Sequence, residues 1–101
     1  MGASITVLYP NPTDLEKFEQ DYQEHLQVFA EHLPNVSAPK VTRVKQNPKM
    51  PAPYHMIVTI PFDSMDALKE TLMSEGMQTV GGHANQISSG GAPVILVGAE
   101  D

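Results

Sequence analysis

The sequence contains no cysteine, no tryptophan and only six basic side chains among its 101 residues. The absence of cysteine excludes a disulfide framework, a thiolate nucleophile and any zinc or iron–sulfur site that needs cysteine ligands. Twelve acidic residues against the six basic ones give a formal net charge of -6, which repels the phosphates of nucleic acids and anionic membrane surfaces. We therefore expect neither nucleic acid nor a membrane as a partner, and a fold that is stabilised by packing alone.

Long hydrophobic runs are missing as well. No apolar run approaches the ~20 residues that a membrane-spanning helix needs, and the N-terminus has no basic segment followed by a hydrophobic one. A cytoplasmic location is then the default expectation. The remaining composition is that of an ordinary globular protein, and the length suits one hydrophobic core, so we expect a single domain over residues 1–101.

Motifs for cofactors and metals are also absent. There is no GxGxxG, no P-loop and no Gly-x-Ser-x-Gly, which leaves nucleotide cofactors and a serine-hydrolase elbow without support. Two of the four histidines, His25 and His32, lie seven residues apart in a predicted helix, which is ~10 Å along its axis and too far for one ion. We expect no cofactor and no metal.

Local patterns predict a βαββαβ order in which the second helix is broken. Short β-branched or apolar runs bounded by proline and glycine predict strands, and 3.6-residue periodicity after a capping residue predicts helices. The predicted strands cover residues 4–9, 40–46, 54–62 and 92–100, and the predicted helices cover 15–33, 65–73 and 75–86.

This order is typical of the ferredoxin-like α+β fold, a four-stranded antiparallel sheet with its helices on one face. The segment from Tyr54 to Phe62 is apolar on both parities, and so is the last strand, so neither side of them suits bulk water. Something must then cover the open face of the sheet. For a chain this short, we expect a second copy, in a homodimer whose sheets pack face to face.

The first helix carries polar groups where leucines are expected. At ~100° per residue, Tyr22 falls within the apolar stripe and His25 at its margin, with His32 further toward the polar face. The question raised by the stretch DYQEHLQVFAEHLP is whether empty space lies beside Tyr22 and His25.

Three stretches together resemble the EthD family. They are LYPNPTDLEKFEQDYQEHL near the start, PYHMIVTIPFDSMDALKETLMSEGMQ in the middle and HANQISSGG toward the end. The resemblance implies a ferredoxin-like dimeric α+β barrel in a family associated with the breakdown of ethyl tert-butyl ether. Related dimeric barrels include small-molecule monooxygenases, lactone isomerases and polyketide-modifying enzymes, so a cofactor-independent oxygenase, isomerase or cyclase-like activity is implied as well.

His25 is the leading catalytic candidate, because an imidazole can act as general base or general acid near neutral pH. Tyr22, three residues earlier on the same helix face, can orient a carbonyl or phenolic oxygen through its hydroxyl. The alternative is that both side chains only satisfy buried backbone groups and complete the packing of the helix on the sheet.

Three further residues are candidates for ligand binding. His83 and Asn85 lie among glycines that allow close backbone approach at a pocket mouth, although the same glycines can simply end a helix. Tyr9, which closes the first strand, can line the same cavity as His25 or serve in packing.

We weigh three hypotheses for function. The first is an enzyme-like protein that binds an apolar oxygenated metabolite between helices and sheet and uses His25 for proton transfer. The second is a non-catalytic binding or accessory protein in which Tyr22 and His25 are structural. The third is a structural dimerisation module.

Overall fold

The computed structural model describes residues 2–100 and has the predicted ferredoxin-like order. The elements are β1 (Ala3–Pro10), α1 (Leu15–His32), β2 (Lys40–Arg43), β3 (Tyr54–Phe62), α2 (Met65–Leu72), α3 (Glu75–Ile87) and β4 (Val94–Ala99). The four strands form one antiparallel sheet in the order β2-β3-β1-β4. The prediction of an α+β fold with a broken second helix is confirmed.

One face of the sheet supports the helices and forms the core. In the register of the central strands, Ile5 lies opposite Ile60 and Val7 opposite Val58. The buried residues of both strands share this parity: Ala3, Ile5, Tyr9, Met56, Val58 and Ile60. They join the buried side chains of all three helices in a single core. The buried face of the sheet and the apolar stripes of the helices thus pack against each other in one interface.

Each helix begins at a side-chain cap. The side chains of Asp14, Ser64 and Ser74 accept hydrogen bonds from the backbone N–H three residues on, at Lys17, Ala67 and Met77. These bonds satisfy amides that have no partner within the first turn. Ser74 therefore starts a new helix directly after α2, and this explains the break between the two.

The second strand is shorter than the predicted 40–46. Pairing of β2 with β3 ends at Arg43 opposite Met56, although the backbone N–H of Val44 still bonds the carbonyl of His55. On the other side of β3, the register with β1 shifts between Tyr9 and Pro10, which leaves His55 without an opposing residue. Such a bulge bends the strand, and the ladder with β2 stops there.

The open face of the sheet carries the opposite parity. Thr6 of β1 lies opposite Thr59 of β3 and Leu96 of β4, and half of the Leu96 side chain is exposed. On the helix side of the same edge strand, Ile95 and Val97 are 52% and 49% exposed. Within residues 2–100, no helix is both long enough and apolar enough to cross a bilayer.

Candidate functional site

A small cavity lies between α1, α3 and the helix-facing side of the sheet. Its volume is about 130 Å³. The walls are almost entirely aliphatic and aromatic, with Ile5, Val7, Val58 and Ile60 from the sheet and Met77 and Val80 from α3. Three lining residues carry polar groups: Tyr9, Tyr22 and His25. An apolar chamber with a few converging polar groups is the usual form of a small-molecule site.

The size of the cavity limits what it can hold. An engineered cavity of about 150 Å³ lined by leucine, isoleucine and phenylalanine stays dry and binds benzene. A chamber of about 130 Å³ therefore suits a group of the size of a six-membered ring.

His25 lies in the wall of this cavity and is 94% buried, with 6% of its surface exposed. Its Nδ1 is 2.8 Å from Nδ1 of His83 on α3. The two rings are nearly parallel, at 8°, with centroids 5.1 Å apart. Because one of two facing nitrogens must donate and the other accept, the neutral pair has one ring with its proton on Nδ1 and the other with its proton on Nε2.

Burial lowers the pKa of His25 and so keeps its imidazole uncharged at neutral pH. Loss of hydration, followed by the proximity of His83, lowers the pKa of His25 from 6.5 to about 4. His83 is only partly buried, so a positive charge on that ring would remain closer to solvent. The bond between the two Nδ1 atoms therefore links the cavity wall to a ring that lies nearer to the protein surface.

Tyr22 and Tyr9 keep their phenolic protons at neutral pH. Burial raises the pKa of Tyr22 to about 12, and burial with the nearby Tyr22 raises that of Tyr9 further. The Tyr22 ring lies 5.7 Å from that of His25 and 5.9 Å from that of Tyr9. Both hydroxyls are thus hydrogen-bond donors at neutral pH.

Three polar atoms of the cavity residues form no hydrogen bond with the described part of the protein. Among residues 2–100, none of the hydrogen bonds involves the hydroxyls of Tyr9 and Tyr22 or Nε2 of His25. The same residues contain no fully buried side-chain nitrogen or oxygen without a partner. These three atoms therefore retain some accessible surface, and all three residues line the cavity. These atoms are the polar groups of the cavity residues that form no hydrogen bond within the described chain.

His83 and Asn85 have different positions relative to this chamber. The His83 side chain reaches the site through its bond to His25 and is not part of the cavity wall. The side chain of Asn85 is exposed, and its Nδ2 donates to the carbonyl of Gly81, one turn earlier on α3. The fold thus brings Tyr9, Tyr22, His25 and His83 together and leaves Asn85 outside the cavity.

An ion cluster next to the site was not predicted from the sequence. The Glu19 carboxylate accepts hydrogen bonds from the Arg43 guanidinium at 2.6 Å and lies 2.7 Å from Nε2 of His55. The Arg43 hydrogen bond lowers the pKa of Glu19, against the opposing effect of burial. His55 is the unpaired residue of the bulge, and its ring meets Phe18 edge to face at 5.6 Å. No local pattern signals a bulge that turns a strand residue toward the helix.

No group of three or more potential metal ligands occurs within the part of the chain that the structure describes. The polar groups at the cavity are two phenols and one imidazole of a pair, and this set suits hydrogen bonding and proton transfer.

Comparison with known proteins agrees with this architecture. A crystal structure of an EthD family protein from Bacillus halodurans shares 19% identity at a TM-score of 0.84, with 100% of each chain covered. The cofactor-independent oxygenase SnoaB from Streptomyces nogalater shares 12% identity at a TM-score of 0.66, covering 98% of this chain and 92% of its own. A dimeric ferredoxin-like protein of unknown function from Jannaschia shares 12% identity at 0.68, covering 99% and 100%.

At these identities the solved structures establish a common fold. A search of the curated proteins finds no match to this chain. The family comparison gives a direct result, because the EthD domain matches residues 10–88, which include α1, α2, α3 and the cavity residues Tyr22 and His25. A match over this much of the sequence, together with the fold, shows that the chain belongs to the EthD family.

Proposed function

We propose that this protein binds a small apolar molecule with an oxygen function in the cavity and moves a proton to or from it through His25 and His83. The observation that carries the proposal is the 2.8 Å contact between the two Nδ1 atoms, with His25 in the cavity wall and His83 nearer to solvent. A lone buried histidine with a pKa of about 4 is a weak base. The second ring gives the Nδ1 proton of His25 an acceptor that lies nearer to solvent.

The reaction this arrangement supports is removal of a proton next to a carbonyl. The C–H bond breaks, its proton goes to Nε2 of His25, and its electron pair moves to the carbonyl oxygen, which becomes an enolate. The Tyr22 hydroxyl donates a hydrogen bond to that oxygen. The Nδ1 proton of His25 passes to Nδ1 of His83, so His25 is again neutral and His83 holds the charge. The proposal invokes no cofactor, in keeping with the description of SnoaB as a cofactor-independent oxygenase.

Deuterium exchange into cyclohexanone tests this proton transfer without knowledge of the natural substrate. We expect the protein in heavy water to accelerate exchange at the carbons next to the carbonyl, as followed by proton NMR. His25→Asn retains an amide near the position of Nδ1 but removes the base, and should slow exchange about 10²-fold or more. Tyr22→Phe should slow it by about 10-fold or more through loss of the oxyanion donor.

The matched control is His32→Asn, on the exposed part of the same helix, which should exchange like the wild type. Unchanged exchange in a folded His25→Asn variant that still binds cyclohexanone would rule out the proposed role of His25.

A non-catalytic binding protein is the second candidate. The observation in its favour is that the bond between His25 and His83 joins α1 to α3 and so stabilises the packing of the two helices. In that case cyclohexanone should bind to the wild type without exchange, and His25→Asn should lower only the thermal stability.

We also infer that the open face of the sheet is covered by a second copy of the chain, in line with the dimeric ferredoxin-like neighbour. Leu96→Lys places a charge on that face, at a position exposed in one chain, so it should leave the fold intact and split the dimer. Sedimentation should then give 11.0 kDa in place of twice this mass. Val97→Lys, equally exposed on the opposite face, is the matched control and should remain dimeric. A wild type that sediments as a monomer at micromolar concentration would contradict the inference.

A further inference from the structure

A second apolar hollow adjoins the cavity along α1. It is a groove of about 390 Å³ between the C-terminal half of α1 and the segment that leads into β2. Its walls include Ala30, Leu33, Val36 and Val41, which do not line the cavity. With this volume the groove is about three times as large as the cavity.

The two hollows share a thin wall. Leu26, Phe29 and Pro39 line both, so each of these side chains has one surface on the cavity and another on the groove. Phe29 is buried, whereas Leu26 and Pro39 are only half buried. Pro39 belongs to residues 33–39, which are in neither helix nor strand and are held internally by one weak backbone bond, from the N–H of Val36 to the carbonyl of Leu33. Leu26, Phe29 and Pro39 are thus the side chains that lie between the two spaces.

The direction of the groove fits a ligand that begins at His25. From His25 to Leu33 the helix rises eight residues, which is ~12 Å along its axis. Leu26, Phe29, Ala30 and Leu33 follow one another at helical spacing and present apolar surface along this whole length. Within residues 2–100, the side chains that line the groove are all apolar.

We propose that the ligand is an elongated amphipathic molecule, with its oxygenated head in the cavity at His25 and an apolar chain that lies in the groove along α1. The proposal rests on the proposed binding of an oxygenated apolar molecule in the cavity, and it adds the class of that molecule. The cavity alone holds about six carbon atoms, and the groove accommodates the rest of the chain.

Calorimetry with straight-chain methyl ketones from 2-hexanone to 2-undecanone tests this proposal. We expect the association constant to rise by about threefold to fourfold for each added methylene over the whole series, because each one leaves water for the groove. If the association constant does not rise beyond that of 2-hexanone, whose six carbon atoms already fill the cavity, the proposal is overturned.

Ala30→Trp supplies the decisive variant. Ala30 is exposed and lines only the groove, so an indole there should fill the groove without touching the cavity. We expect binding of 2-undecanone to fall at least tenfold and binding of 2-hexanone to stay within twofold. Gln27→Trp, exposed on the same helix and in neither hollow, is the matched control and should bind both ketones like the wild type.

Two other results would overturn the elongated ligand. In one, Ala30→Trp binds 2-undecanone as tightly as the wild type; in the other, it changes the sedimenting mass, which assigns the groove to contact with a second copy. Failure of the proposed function gives a different pattern. If the long ketones bind in the groove but exchange no deuterium, the elongated ligand stands and the proton transfer does not.

Discussion

Gly76→Ala is expected to lower the free energy of unfolding by about 3 kcal/mol, at the upper end of the cost of overpacking a filled site. Gly76 lies in the first turn of α3, where the backbone passes directly over the C-terminal end of α1. A Cβ at this position would overlap the carbonyl oxygen of His32 and lie 3.2 Å from Cδ2 of Leu33. The carbonyl belongs to a helix end and cannot move aside as a flexible side chain would.

Gly82→Ala on the same helix is the matched control and should have the opposite effect. A Cβ at Gly82 meets no atom within 4 Å, so the substitution only removes the helix penalty of glycine and should stabilise the fold by up to about 1 kcal/mol. Urea denaturation at neutral pH measures both changes. For a domain of this size, these free-energy changes correspond to a fall in melting temperature of more than about 10 °C for Gly76→Ala and a rise of about 5 °C for Gly82→Ala. Equal shifts of the same sign would contradict the close approach of α3 to α1.

Acid should destabilise the fold through His25 before the carboxylates are protonated. Its pKa is 6.5 when unperturbed and about 4 in the folded chain. Between these values the unfolded chain holds a proton that the folded chain does not, so stability is complete above pH 6.5 and declines as the pH falls toward 4. A shift of this size corresponds to a loss of about 3 kcal/mol at most.

His25→Asn should remove this pH dependence. We expect its unfolding free energy to be nearly constant between pH 7 and pH 5, where the wild type loses stability, as measured by urea denaturation at a series of pH values. Between pH 7 and pH 5 the Glu19 carboxylate does not contribute to this loss, because its lowered pKa costs stability only below its ordinary value of 4.5. His32→Asn, at an exposed position, should retain the wild-type slope. The same slope in His25→Asn would show that another group is responsible.

Most of the fold can be predicted from the sequence because it depends on local rules. The apolar, β-branched run Tyr54–Phe62 indicates a strand, and the stripe that contains Phe18, Tyr22 and Phe29 records which face of α1 is buried. Asp14, Ser64 and Ser74 mark the helix starts, since a cap acts within three residues of itself. The order of elements then leaves few topologies to choose from.

Where the sequence and the structure differ, the cause lies between distant segments. The strand predicted at residues 40–46 ends at Arg43 because its partner bulges at His55, which is a property of the pairing and not of either segment. The bulge also turns His55 toward Phe18 and Glu19, where a regular strand would have placed it on the open face.

The candidate site likewise depends in part on local sequence patterns and in part on contacts between distant segments. The periodicity of α1 places Tyr22 within its apolar stripe and His25 at the margin, and this much follows from the sequence alone. The structure shows both side chains to be buried. That His25 meets His83, 58 residues away, depends on how α3 packs across α1, and that packing in turn requires glycine at position 76. The cavity beside them is a gap that no single segment encodes, because it is the space left when the aromatic rings of α1 and the aliphatic side chains of the sheet and α3 fail to fill the interior. The sequence by itself thus determined that Tyr22 and His25 lie on or beside the apolar stripe of α1, because that depends on helical periodicity alone. Only the tertiary structure decided that His25 is buried against His83 and beside a cavity, because both depend on the packing of distant segments.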